Sequence, residues 1–140
     1  MSKDLLMHRR IGSGSPLMLV HGYLGGQFMW QFQEPLQDHF ELIMPSLAGY
    51  GESAHLEAPS RIPGNVDDIC RLLDSLEIEK VDLLGHSMGG MIVQEMAANR
   101  PDRINRLICL GTGSMGVLPN RFEPIEESRR KILHLGLEHA

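Results

Sequence analysis

Val81-Asp82-Leu83-Leu84-Gly85-His86-Ser87-Met88-Gly89-Gly90 is the stretch on which the reading of this chain turns. Its first four residues, three of them Val or Leu, read as a short buried strand, and a helix-forming run opens behind Ser87. Between the two lies Gly-x-Ser-x-Gly, a strand-to-helix turn so tight that the flanking residues must be small. Such a turn lifts the Ser87 hydroxyl above the sheet edge. It also sets the hydroxyl at a helix N-terminus, where the dipole favours developing negative charge. The bare pentapeptide occurs by chance in loops; a strand before it and a helix behind it make it a nucleophile elbow.

Outward from this stretch, apolar runs and helical spacings alternate. Upstream, Leu5–Ile11 reads as a strand closed by Gly12-Ser13-Gly14-Ser15-Pro16. Leu17–Val20 and Phe40–Met44 are short apolar runs of the kind buried on both faces of a parallel sheet. Gln27–His39 reads as a helix, with Phe28, Phe32, Leu36 and the following Phe40 at helical spacing and Pro35 weakening its middle. Ile62–Leu76 puts Ile69, Leu72, Leu73 and Leu76 on one helical face, with Ser60 as its cap and Pro63 in its first turn. Lys80–Leu84 is the third buried strand, and Ser87–Asn99 is a helix ended by Arg100-Pro101. Ile104–Leu110 is a fourth buried strand and Ile125–Leu137 an amphipathic helix. Strands separated by helices at this spacing are βαβ units. The fold class is therefore α/β, a mostly parallel sheet with helices on both faces.

At 140 residues, 42% hydrophobic and 22% charged, the chain suits a single modest core. A net charge of −5, with only the short basic runs Arg9-Arg10 and Arg129-Arg130-Lys131, argues against nucleic acid as a partner. Cys70 and Cys109 lack metal-ligand spacing and suit a reducing compartment better than a disulfide scaffold. No apolar stretch approaches the roughly 18 residues of a membrane span. Met1-Ser2-Lys3-Asp4 does not open a signal peptide. These features predict a cytoplasmic protein with no membrane partner. No G-x-G-x-x-G follows a strand and no His or Cys residues cluster, so neither cofactor nor metal is expected.

Two further loops fall at the carboxyl ends of predicted strands, where sites in open α/β sheets are built. The first, His21-Gly22-Tyr23-Leu24-Gly25-Gly26, follows Leu17–Val20. An oxyanion hole needs two backbone N–H groups aimed at one point. One comes from the residue after the nucleophile, here Met88, and one from this loop, where Tyr23 is the assigned donor. Gly25 and Gly26 let the loop fold back without side-chain clashes. His21 reads as a structural histidine bonded to backbone rather than as a base. The second loop, Pro45-Ser46-Leu47-Ala48-Gly49-Tyr50-Gly51-Glu52-Ser53, reads as a glycine-punctuated turn. It is no phosphate loop, because the Lys and Ser/Thr of a Walker motif are missing. Tyr23, Phe28, Met29, Trp30 and Met88 suggest an apolar pocket, with Phe28 and Trp30 equally readable as core.

Together, His21-Gly22, Leu47-x-Gly49-x-Gly51-x-Ser53 and Gly85–Gly90 make the chain similar to the α/β-hydrolase fold family. The likeness is to its cap-bearing branch of serine esterases, lactonases and carbon–carbon bond hydrolases, and it runs from about residue 5 to 137. Ser46 departs from a family pattern that commonly has Asp there. Ser87 separates the chain from dehalogenase relatives, which carry Asp at that place. The resemblance implies that residues 1–118 are the amino-terminal part of the core and 119–140 the start of a helical cap. It also implies a serine hydrolase acting on ester, lactone or related carbonyl bonds of a small-molecule substrate, with Ser87 as nucleophile.

The family's triad continues with Asp or Glu and then His. Beyond Ser87 the chain offers Asp102, Glu123, Glu126, Glu127, Glu138, His134 and His139. Asp102 enters the last strand from the face opposite the elbow, and Gly111-Thr112-Gly113-Ser114 behind that strand holds no acid. His134 and His139 read as surface residues. The expectation is a fold truncated after the strand that follows the nucleophile helix and the start of the cap. Triad acid and His are then missing, and Ser87 is a weak nucleophile by itself. Ile104–Leu110 would be an open edge suited to self-association. The alternative function is a non-catalytic half-hydrolase serving as a binding or assembly module.

Overall fold

The continuous apolar runs become the centre of a five-stranded sheet in the computed structural model, which describes residues 4–114 and 125–135. The strands are β1 (His8–Ile11), β2 (Ser15–Val20), β3 (Phe40–Pro45), β4 (Val81–His86) and β5 (Ile104–Leu110), in the order β1-β3-β2-β4-β5. β1 is antiparallel to β3, and every other pairing is parallel. The helices are α1 (Ile62–Ser75), α2 (Met88–Asn99) and α3 (Ile125–Leu135). This is the α/β architecture the alternating pattern predicts.

Alternation along the strands builds two cores. Met18, Val20, Ile43 and Leu83 face one side and pack with Ile69, Leu72 and Leu73 of α1 and Ile92, Val93 and Met96 of α2. Leu17, Leu19, Leu42 and Met44 face the other side and pack on Trp30. A strand with apolar residues at every position suits this two-sided burial, because successive side chains point to opposite faces.

Three local expectations change. Gln27–Asp38 is a 3-10 helix, not an α-helix. Its three-residue turn buries Gln27 and Trp30 in one narrow stripe and leaves Phe28 and Phe32 exposed, while Pro35 removes an N–H from its middle. Ser60 does not cap α1: the cap position is Arg61, in extended backbone and without a side-chain cap, although Pro63 does sit in the first turn. β5 is not buried. It pairs with β4 alone among the described residues, and Asn105–Leu110 are all exposed. An extra residue in β5 opposite Val81–Leu83 also shifts the register there. The core–cap boundary expected at residue 118 lies outside the described residues, as do the last two residues of the helix expected over 125–137. Among the described residues no helix is long and apolar enough to cross a membrane.

The strand order itself places a site. From β2 the chain steps outward to β3 and β1's side, then returns past β2 to β4 and β5 on the other. The direction of winding therefore reverses between β2 and β4. In open α/β sheets the crevice outside the carboxyl ends of two such strands is where ligands bind. Here those ends carry His21 and Ser87.

Candidate functional site

Ser87 stands between β4 and α2 with φ 53° and ψ −118°. A residue with a Cβ pays strain there of about 1–3 kcal/mol, so the surrounding structure must hold it. The Ser87 N–H donates to the Leu110 carbonyl at the end of β5 (3.0 Å). Its carbonyl accepts from the Met91 N–H (3.3 Å) and from the Thr112 hydroxyl (2.7 Å). The glycines fit the same turn: side chains at Gly85 and Gly89 would collide with the Gly89 carbonyl and the Val20 carbonyl respectively. The elbow therefore exists as the sequence predicts, with Ser87 at the helix entrance and α2 starting at Met88.

The loop after β2 lies directly against it. A Cβ at Gly22 would stand 3.0 Å from the Ser87 Cβ, so the backbone of Gly22 borders Ser87. The Gly25 N–H closes the loop onto the Gly22 carbonyl (3.0 Å), and a Cβ at Gly25 would press 2.9 Å from the His21 ring. Gly26 does not serve this purpose: a Cβ there meets nothing nearer than 3.7 Å, and the left-handed residue is Leu24 (φ 58°).

His21 is fully buried and fully used. Its Nε2 accepts the Leu47 N–H (2.9 Å), so Nδ1 carries the ring proton and donates to the Gly22 carbonyl (2.8 Å). A backbone N–H can only donate, and that fixes the tautomer. Burial holds its pKa below the ordinary imidazole value, against the smaller pulls of its bond to Gly22 and of Glu52. His21 is a structural brace between the two loops.

Ser46, the departure from the family pattern, makes a second brace. Its buried hydroxyl donates to Glu52 Oε2 (2.6 Å) and accepts the Gln27 N–H (3.2 Å). The bond from Ser46 is the main reason the Glu52 carboxyl is held below its usual range, with the Gln27 side chain adding to it. The ring of Tyr50 meets those of His21 and Tyr23 edge-on at 5.5 and 6.2 Å. The apolar pocket expected from five residues is split. Trp30 and Met29 belong to the core on the far sheet face, and Phe28 is exposed. Met88 packs on the core beneath α1 and α2, and the exposed Tyr23 ring lies against Tyr50. Among the described residues no group of three or more His, Cys, Asp or Glu side chains could hold a metal ion.

Residues 15–135 match the sequence pattern of the alpha/beta hydrolase fold. The chain belongs to the alpha/beta hydrolase fold family. It is 35% identical over 112 residues to a 2-hydroxymuconate semialdehyde hydrolase of Pseudomonas sp. strain CF600, covering 74% of this chain and 38% of that one. Its structure is similar to the enol-lactonase from Burkholderia xenovorans LB400 (TM-score 0.80, 26% identity, 95% of this chain and 52% of the other). It also resembles a thermophilic esterase from Thermogutta terrifontis (TM-score 0.78, 30% identity, 94% and 49%). The chain thus spans 38% of the first of these relatives and about half of the similar solved structures.

Within this alpha/beta hydrolase fold, the described acids and histidines that follow α2 in sequence lie on the turn before β5 and on α3. Asp102 sits in the 3-10 turn Pro101–Arg103 that enters β5, at the end of the sheet opposite Ser87. Glu126, Glu127 and His134 lie on α3, with Glu127 paired to Arg130, and His134 is exposed. Glu123, Glu138 and His139 lie outside the described residues. His21 and Glu52, the imidazole and carboxylate of the two neighbouring loops, hydrogen-bond Gly22, Leu47 and Ser46. The His86 ring lies between Gly22 and Gly111, its buried Nδ1 without a partner. Reading the sequence missed three contributors: Thr112, Ser46 and Glu52. Only Thr112 left a trace, because Gly90 is a second glycine that the pentapeptide itself does not require.

Proposed function

We propose that the protein is a serine hydrolase of small-molecule esters, lactones or related carbonyl compounds. In this reading the Ser87 Oγ attacks the substrate carbonyl carbon, and the backbone N–H groups of Tyr23 and Met88 hold the oxyanion that forms. Collapse of that intermediate expels the leaving group and leaves an acyl-Ser87, which water hydrolyses. The proton of Ser87 passes to a base that is none of the described residues, supported by an acid that the family pattern puts after later strands. One observation carries the reading. A strained serine, braced from both sides, faces a glycine loop at the point where the sheet reverses its winding. The hydrolases among its relatives support the same class.

A fluorophosphonate should label Ser87 in the full-length protein, and Ser87→Ala should abolish labelling and lower turnover by roughly 10³-fold or more. A folded protein that takes no label at Ser87 overturns the proposal. The exposure of Leu107, Ile108 and Leu110 on β5 favours a second reading, assembly of two chains through that edge. Sedimentation as a monomer at high concentration would reject it.

A further inference from the structure

Thr112 touches the elbow in a way that reaches past the serine it supports. The Ser87 carbonyl and the Met88 N–H belong to one planar trans peptide, so they point in opposite directions. Whatever fixes the carbonyl therefore aims the N–H. The Thr112 hydroxyl donates to that carbonyl at 2.7 Å from the loop behind β5, and the Met91 N–H donates to it at 3.3 Å from the first turn of α2. Met88 is the first residue of α2, so its own N–H has no acceptor within the helix and is free for a ligand. A carbonyl that accepts a strong hydrogen bond also polarises its peptide, making the opposite N–H a better donor.

The surroundings are shaped for this contact. A side chain at Gly90 would collide with the Cβ, Cγ2 and Oγ1 of Thr112, so the second glycine of the elbow is what lets the threonine approach. Gln94 adds a strap: its Nε2 donates to the Gly90 carbonyl (3.0 Å) and to the Gly113 carbonyl (3.2 Å), tying α2 to the residue after Thr112.

We propose that Thr112 is a positioning residue that aims and polarises the Met88 N–H as an oxyanion donor, with Gly90 and Gln94 as its supports. This rests on the reading of Ser87 as nucleophile and Met88 as donor. Thr112→Val keeps the shape and removes the hydroxyl; Thr112→Ser keeps the hydroxyl. In the full-length protein, Thr112→Val should slow fluorophosphonate labelling of Ser87 by about tenfold, a fraction of what losing an oxyanion donor outright costs. It should lower kcat with KM nearly unchanged and shift the Met88 amide resonance upfield. Thr112→Ser should stay near the parent in all three.

Labelling and a Met88 resonance unchanged in Thr112→Val overturn the proposal, as does an equal loss in Thr112→Ser. A parent protein that takes no label sinks the reading of Ser87 instead. The Met88 resonance then decides the aiming of the N–H by itself: a shift in Thr112→Val but not in Thr112→Ser supports it, and no shift overturns it. Thr112→Ala, which adds no bulk, replaces Thr112→Val should that variant not fold.

Discussion

The two flanks of Ser87 are built differently. Toward β2 and β3 the support is solid: Met18, Leu19, Val20, Leu42, Ile43 and Met44 have no solvent exposure, and His21 spends both ring nitrogens on the neighbouring loops. Toward β5 the support is thin. Leu107, Ile108 and Leu110 are 39–50% exposed, and the serine is held from that side by one backbone bond and one hydroxyl. The contrast teaches that the position of Ser87 and the stability of the sheet need not share a source. The core fixes one wall of the site, and one hydrogen bond from the end of β5 and one from the loop behind it fix the other.

The largest effect expected from this asymmetry is on the buried flank. Leu83→Ala should lower unfolding free energy by about 3–4 kcal/mol in urea titrations, since the cavity forms under two helices. His21→Ala should cost about 2 kcal/mol by the same measurement, because it strands the buried Leu47 N–H. A loss near zero would mean that the brace between the loops is dispensable.

Acid should act through the same ring. Above its ordinary pKa of 6.5, His21 is neutral in the folded and unfolded chain alike. As pH falls through that value the unfolded chain takes a proton that the buried ring resists, so stability declines until His21's own lowered pKa is reached. Thermal unfolding across this window should show the decline, and His21→Gln should flatten it. The smallest effect belongs to the other flank: Leu107→Ser should change stability by no more than about 0.5 kcal/mol. If it costs as much as Leu83→Ala, β5 is covered in solution and the contrast collapses.

Much of this was readable in the residues. β2, β3, β4 and β5 announced themselves as apolar runs, and the elbow and the loop after β2 stood at strand ends where the structure puts them. β1 instead begins at His8 rather than Leu5 and carries His8, Arg9 and Arg10. What escaped depended on pairing across the chain. Ile104–Leu110 has the composition of a buried strand, and only its having β4 as sole partner among the described residues shows it at the edge of their sheet. Phe28 and Phe32 fit an α-helical stripe, but a three-residue turn rotates them to the outside and brings Trp30 in. Ser46 and Thr112 are ordinary polar residues whose meaning lies in partners 6 and 25 positions away. Periodicity carries no such information.

The edge has one more consequence, for measurement. The chain has two thiols: Cys70 is buried in α1, where burial pushes its pKa up, and Cys109 is exposed on β5. A maleimide pulse should therefore modify Cys109 at the rate of an open thiol, while Cys70 stays silent until the chain unfolds. A single mass spectrum would then count unfolded molecules by the second adduct and report, by the speed of the first, whether anything lies over β5.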